Sequence, residues 1–218
     1  LNPLDLSAGT DGISAFLIRH YNKENRILWF WSLYGNNQLR SIDLYQTKEN
    51  TIEFGGRYQA HIKNHEYGFT YHQRQIDLLI DTAQQYRLGF DFLLNTALPI
   101  WTEHSFSLAQ SNLSDAQIYK GMLGTDYTID MGAGLYALAE LQYSNTLINS
   151  TQSSNWVGMA QLSYPLSLYD QLSYVALVSN QTEAEHIVML SRTYDFFKVI
   201  GMLYTIEKQA SLTMYWHY

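Results

Sequence analysis

The sequence predicts an all-β protein, and three observations carry that expectation. Apolar and polar residues alternate with period two along most of the 218-residue chain, which places successive side chains on opposite faces of a strand. The alternating segments are long: "QYRLGFDFLLN" fills residues 85–95, where about five or six residues is usual for a strand of a globular sheet. No comparable stretch shows a helical period between caps.

Taken in order, the alternating segments are 12–21, 26–35, 51–64, 66–74, 84–95, 97–109, 117–129, 131–144, 155–166, 169–180, 185–193, 196–206 and 210–218. In the third, Phe54, Gly56, Tyr58, Ala60 and Ile62 oppose Glu53, Arg57, Gln59, His61 and Lys63. In the fifth, Tyr86, Leu88, Phe90, Phe92 and Leu94 oppose Arg87, Gly89, Asp91 and Asn95. The seventh sets Tyr119, Leu123, Tyr127 and Ile129 against Lys120, Asp126 and Thr128. The eighth sets Leu135, Ala137, Ala139, Leu141 and Tyr143 against Tyr136, Glu140, Gln142 and Ser144. Tight turns are expected near Asn64–His65, Thr96, Asp130, Ser167 and Asp195, and longer polar links at 75–83 (apart from "IDLLI"), 110–116 and 145–154. Short connections on one side and longer ones on the other are the pattern of an up-and-down barrel.

Composition narrows the solvent in which such a sheet works. The chain has 18 Tyr, 5 Trp and 9 Phe, only 3 Pro, and 15% charged residues, against about 25% in soluble domains. With no Cys, disulfides, thiolate metal sites and a lipidated cysteine are excluded from this sequence. Thirteen scattered Lys and Arg under a net charge of −7 argue against nucleic acid, which requires a clustered basic patch. No apolar run approaches the roughly 18 residues of a membrane helix, and no Lys/Arg-led apolar leader stands in the sequence, so a signal peptide is expected to have been removed or never to have belonged to it.

A soluble β-sandwich and a lipocalin-type barrel also alternate in this way. The length of the strands, the Tyr and Trp near their ends, and the recurrence of a charged face on strand after strand favour a single transmembrane antiparallel up-and-down β-barrel spanning residues 1–218. Only a closed barrel satisfies every backbone hydrogen bond of a sheet in lipid. The segment "SLTMYWHY" at 211–218 fits that setting, since Leu212, Met214, Trp216 and Tyr218 share one face. Thirteen segments are an odd number where a bacterial single-chain barrel has an even one. Two repairs are open: "LRSIDLYQT" at 39–47 is a fourteenth strand, or residues 36–50 form an outer loop and one or more strands precede Leu1. The expected total is about 14, within 12–16.

From "LNPLDL" and "DGISAFLIRHY", through "EFGGRYQ" and "LGTDYTIDMGAGLYALAELQYS", to "QLSYPLSLYDQLSYVAL", the chain resembles a family of poorly characterised, porin-like outer-membrane barrels of bacteria. The resemblance spans nearly the whole chain, and its motifs are glycines and aromatics at strand positions rather than catalytic groups. It implies a bacterial outer-membrane location, contact with the lipid bilayer and lipopolysaccharide, and no cofactor. "LTMYWHY" resembles the C-terminal signal read by the barrel-assembly machinery, with Tyr218 in the place of the usual Phe or Trp. In such proteins an Asn-Pro-x-Asp segment follows further barrel strands, whereas here it occupies residues 2–5. This departure favours a shortened chain or one that lacks N-terminal strands.

Chemistry is sparse. Outer-membrane lipid hydrolases use a His-x-Ser pair on one strand face, and omptin-like proteases use Asp and His pairs; neither His-x-Ser nor Asp-x-His occurs. In "EHSFS", Glu103, Ser105 and Ser107 share a face that His104 does not, and a base so placed does not reach its nucleophile. His61 and His65 flank a turn without the spacing of a metal site. Sequences matching the N-glycosylation pattern at Asn112, Asn149 and Asn180 read as polar loops. What remains is the inward face, predicted to carry Arg57, Lys63, Arg74, Arg87 and Lys120 beside Glu53, Asp91, Glu103, Asp126 and Glu140. Two uses of these ten charges stay open. They pair across strands and fill the barrel, or they line a narrow, weakly selective channel for small polar solutes and ions. A third class is a scaffolding barrel that sheathes a periplasmic or extracellular protein partner.

Overall fold

The computed structural model describes residues 14–22, 25–35, 45–78, 81–111, 115–204 and 208–216. Among them there is no helix. The strands are β1 (Ser14–Asn22), β2 (Arg26–Tyr34), β3 (Ile52–Ile62), β4 (His65–Leu78), β5 (Asp81–Leu94), β6 (Ile100–Gln110), β7 (Asp115–Ile129), β8 (Leu135–Ile148), β9 (Thr151–Pro165), β10 (Asp170–Ser179), β11 (Glu185–Thr193), β12 (Phe197–Tyr204) and β13 (Gln209–Trp216). They form one 13-stranded antiparallel sheet in chain order, β1 to β13. Sequence periodicity therefore located all thirteen strands.

Three expectations are corrected. The presumed links 75–83 and 145–154 are mostly strand. β4 runs to Leu78 and β5 starts at Asp81, while β8 and β9 are separated only by Asn149 and Ser150. Both of these turn residues have positive φ, 47° and 70°, the backbone of a two-residue type I′ hairpin whose twist matches that of the strands. In 75–78 the polar Gln75 and Asp77 are one face of an alternating strand, whereas Thr151–Ser154 are strand although all four are polar. Second, β2 pairs directly with β3, Arg26 opposite Ala60 and Tyr34 opposite Ile52, so no strand is inserted between them. Most of the segment 39–47 lies outside the described residues, and its last residue, Thr47, makes one isolated antiparallel bridge to Ile76. Third, Lys63 is not on the polar face of β3. It sits in the turn to β4 with φ 57°, because the hairpin closes one residue earlier than expected.

The chain divides into two compact units. The first comprises residues 1–92, 103–120 and 145–153, and the second 93–102, 121–144 and 154–218. In both, alternation sorts the side chains as the sequence predicts. In the first unit Phe30, Phe54, Phe69, Leu88 and Phe106 are exposed on one face. The opposite face holds the buried polar residues Glu53, Arg74, Gln85 and Ser107 and a small apolar cluster of Ile76, Ala83, Ala109 and Ala116. In the second unit Leu172, Tyr174, Val188 and Leu190 are exposed on one face, while Ser163, Ser173 and Ser191 are buried on the other. A soluble sheet has the reverse order, with its large apolar side chains in the dry layer.

β13 shows the same polarity at the end of the chain. Leu212, Met214 and Trp216 are exposed on one face, and the Trp216 ring packs 5.4 Å from Phe197 of β12, its register partner. Tyr218 lies outside the described residues.

Candidate functional site: the polar face of the sheet

The polar face of the first unit is built in successive levels along its strands. Nearest the connection between β2 and β3, Thr47 is buried, and its hydroxyl donates to Glu53 Oε1 at 2.9 Å. Glu53 is fully buried; His72 Nε2 lies 2.9 Å from its other carboxylate oxygen. Arg74 on β4 donates from Nε to Gln85 Oε1 on β5 at 2.6 Å, and from its terminal nitrogens to Thr47 Oγ1 and the Tyr45 carbonyl, both at 3.3 Å. A carboxylate and a guanidinium withdrawn from water are tolerated because each is met by several such partners.

One level further on, Arg57 of β3 and Asp91 of β5 form a two-pronged ion pair, at 2.6 and 2.7 Å. β4 lies between these strands, and its residue at the crossing is Gly68. A methyl group there would overlap both the Asp91 carboxylate and the Arg57 guanidinium, so the glycine opens the path by which the pair spans two strand intervals. Arg57 also donates to Thr70 Oγ1 at 3.0 Å. Arg87 Nε donates to Ser107 Oγ at 3.1 Å.

Tryptophans share this face. The Trp31 indole lies over Gly55, its register partner, where any Cβ would collide with the ring, and Trp31 stands 6.2 Å from the His72 ring. The second unit repeats the device with Trp101 over Gly124. Trp29, on the same face as Trp31, carries the Arg19 guanidinium 4.4 Å above its ring, within the reach of a cation–π contact.

Of the ten residues expected on the inward face, the structure places Glu53, Arg57, Arg74, Arg87, Asp91, Glu103, Lys120, Asp126 and Glu140 on the polar parity of their strands, and Lys63 in a turn. Within the first unit it joins Arg57 to Asp91 and sets Glu53 and Arg74 around Thr47. In the second unit Asp126 accepts a hydrogen bond from Tyr136 at 2.9 Å. Sequence reading missed Thr47, His72, Gln85 and Ser107. Strand parity alone would have found the last three: His72 is two residues from Arg74, Gln85 two from Arg87, and Ser107 shares a face with Glu103. It also missed the second unit's hydroxyl ladder, in which Ser163 and Ser173 are register partners with oxygens 2.8 Å apart and Gln161 donates to Ser163 at 2.8 Å.

His104 projects from the opposite, apolar face. Its ring stacks between Phe90 and Tyr119, and Nδ1 lies 2.7 Å from the Tyr119 hydroxyl. His186 is matched in the same way by Tyr174, also at 2.7 Å. A Tyr hydroxyl beside each ring gives these two polar groups a partner where the surrounding face supplies few. No cluster of three or more His, Asp or Glu among the described residues is placed to hold a metal ion.

No protein-family model matches the chain, and no curated protein matches it.

Proposed function

We propose that the chain is a porin-like β-barrel of the bacterial outer membrane, its sheet closed on itself, with the apolar face in lipid and the polar face lining a narrow, weakly selective passage for small polar solutes. The observation that carries this reading is the inverted segregation of the sheet. Large aromatic and aliphatic side chains are exposed on one parity of strand after strand, while on the other parity Glu53, Arg74, Ser163 and Ser173 are buried and polar groups bond to one another, Arg57 to the half-buried Asp91 and Ser163 to Ser173. Such a sheet is stable where its outer solvent is hydrocarbon, and closure leaves no strand edge unpaired there. The exposed Leu212, Met214 and Trp216 of β13 support the expectation that this strand meets lipid and serves recognition by the barrel-assembly machinery.

Strand parity bears on closure. In an up-and-down sheet of thirteen strands β1 and β13 run in the same direction. Direct closure would make one parallel seam, and an all-antiparallel barrel requires one further strand. The test of the function is reconstitution of the full chain into phospholipid vesicles, with entry of sugars of graded size followed by osmotic swelling. Swelling with small sugars only is expected. Vesicles that stay impermeable to all of them, with the protein verified as inserted, would overturn the passage.

A second reading has support of its own. The Arg57–Asp91 pair and the Glu53–Thr47–Arg74 network satisfy their own charges, as the side chains of a filled barrel do. A filled barrel serves as a scaffold or as the sheath of a protein partner, and it would insert into vesicles without making them permeable.

A further inference from the structure

The polar face of the first unit is not polar throughout. At the end of the strands beside the β2–β3 connection, Ile76 of β4, Ala83 of β5, Ala109 of β6 and Ala116 of β7 pack together at 0–4% exposure. Tyr45, Leu78 and Ile148 pack against them. Ile76 and Ala83 have the parity of Arg74 and Gln85, two residues away on the same strands, so the cluster lies on the face that the proposed function turns toward the passage. A water-filled opening at this level would wet these side chains, and they are dry.

Tyr45 reaches the cluster from a segment that is fastened rather than loose. Lys48 N donates to Gln75 O at 2.9 Å and Asp77 N to Gln46 O at 3.1 Å, on either side of the Thr47–Ile76 bridge. Segment 45–48 thereby runs along the part of β4 that extends past the start of β3. From the polar side, Thr47 is held between Glu53 and Arg74. Backbone pairing and side-chain network together fix where Tyr45 stands.

We propose that segment 45–48 and the apolar cluster beneath it form the constriction of the passage, with Tyr45 and Ile76 setting which solutes pass and Thr47 acting as a positioning residue. The inference rests on the polar face lining a passage. An apolar patch offers a hydrated ion no replacement for its water shell, and narrow apolar constrictions exclude ions by dewetting. Small uncharged polar solutes lose less on passing such a patch. The constriction therefore favours them over ions.

Single-channel conductance of the full chain in planar bilayers tests the constriction. Ile76→Ser should raise ionic conductance several-fold over a low wild-type value, and Tyr45→Ala, outside any strand, should do the same if the serine variant fails to fold. A wild type that conducts ions well, with both variants unchanged, would overturn the constriction and leave the passage standing. Wild type and variants that all insert but stay silent would overturn the constriction if small sugars still swell the vesicles, and would overturn the passage itself if they do not. A second measurement uses the absence of native cysteine. Ala109→Cys should resist a membrane-impermeant thiol reagent in the otherwise unchanged chain and become reactive when Thr47→Val is added. Rapid labelling without Thr47→Val would show the cluster to be wet and would also overturn the proposal.

Discussion

Arg57 and Asp91 reach each other across an intervening strand because residue 68 of that strand has no side chain. Their two hydrogen bonds, at 2.6 and 2.7 Å, pass over Gly68, where a Cβ would overlap both partners. The pair is partly accessible, at 24% and 34% of its side-chain surface, so the geometry of the fork matters more than desolvation.

Gly68→Ala is therefore expected to destabilise the folded protein by roughly 1.5–3 kcal/mol, the scale of hydrogen bonds to charged groups. Arg57→Gln and Asp91→Asn should each destabilise it as well, and the double variant should cost less than the sum of the two singles, because residues in contact couple. Urea unfolding in detergent, followed by the gel migration of folded and unfolded forms, gives all four numbers. Strict additivity would show that the fork contributes nothing as a unit.

This pair also marks the limit of what was legible in the sequence. Period-two alternation places Arg57 and Asp91 on the polar face and predicts that a glycine is unusual in a strand interior. It does not supply register, so it cannot say that Gly68 stands between them or that Gly55 lies under Trp31. Register is fixed by turn geometry, and a turn placed one residue late moved Lys63 from the turn onto a strand face. Segment 45–48 was hidden for a related reason. A single bridge to Ile76 leaves no periodic run, and what holds the segment is a side-chain network contributed by β3 and β4. β9 was expected to start four residues late because it opens on the polar run Thr151–Ser154, where no alternation marks a strand.

The two tryptophan–glycine contacts predict a spectroscopic result. Gly55→Val should push the Trp31 indole off the sheet, and Gly124→Val should do the same to Trp101. Each variant should red-shift tryptophan emission in detergent micelles and lower the urea midpoint. Phe replacing Trp31 should abolish the additional shift caused by Gly55→Val, which separates this contact from a general loosening of the sheet. An unchanged emission maximum in Gly55→Val would mean that the ring does not depend on the glycine.

β13 predicts an assembly phenotype. Trp216 is 65% exposed and packs only against Phe197 among the ring contacts described, so its removal leaves the interior of the sheet intact. Trp216→Ser is expected to reduce the amount of folded protein in outer membranes while leaving the unfolding free energy of the folded fraction, from urea titration, within about 0.5 kcal/mol of wild type, as for a surface change. A lowered midpoint with normal yield would assign Trp216 to stability instead of assembly.

Ion selectivity tests which face lines the passage. Of the ten charges expected there, five of each sign, Lys63 lies in a turn, which leaves four positive and five negative. Register adds Arg19 and Lys198 to the first and Glu66, Asp81 and Glu185 to the second, so six positive and eight negative strand residues among those described share the polar parity. So small an imbalance creates no strong single-sign field along a bore, and whatever ionic current crosses the constriction should be weakly selective. Charges in exposed connections add little, being screened beyond roughly 8 Å at physiological salt. Arg87 and Asp91 stand four residues apart on β5, on the same face. Arg87→Gln removes a positive charge and should move the reversal potential in a salt gradient toward cations. Asp91→Asn leaves Arg57 without its counter-charge and should move it toward anions. If the constriction holds the current too low to read, the same pair can be compared in the Ile76→Ser background. Two variants that shift the potential in the same direction would place β5 with its polar face away from the bore, because a charge removed from the lining must act on the current with the sign it carried.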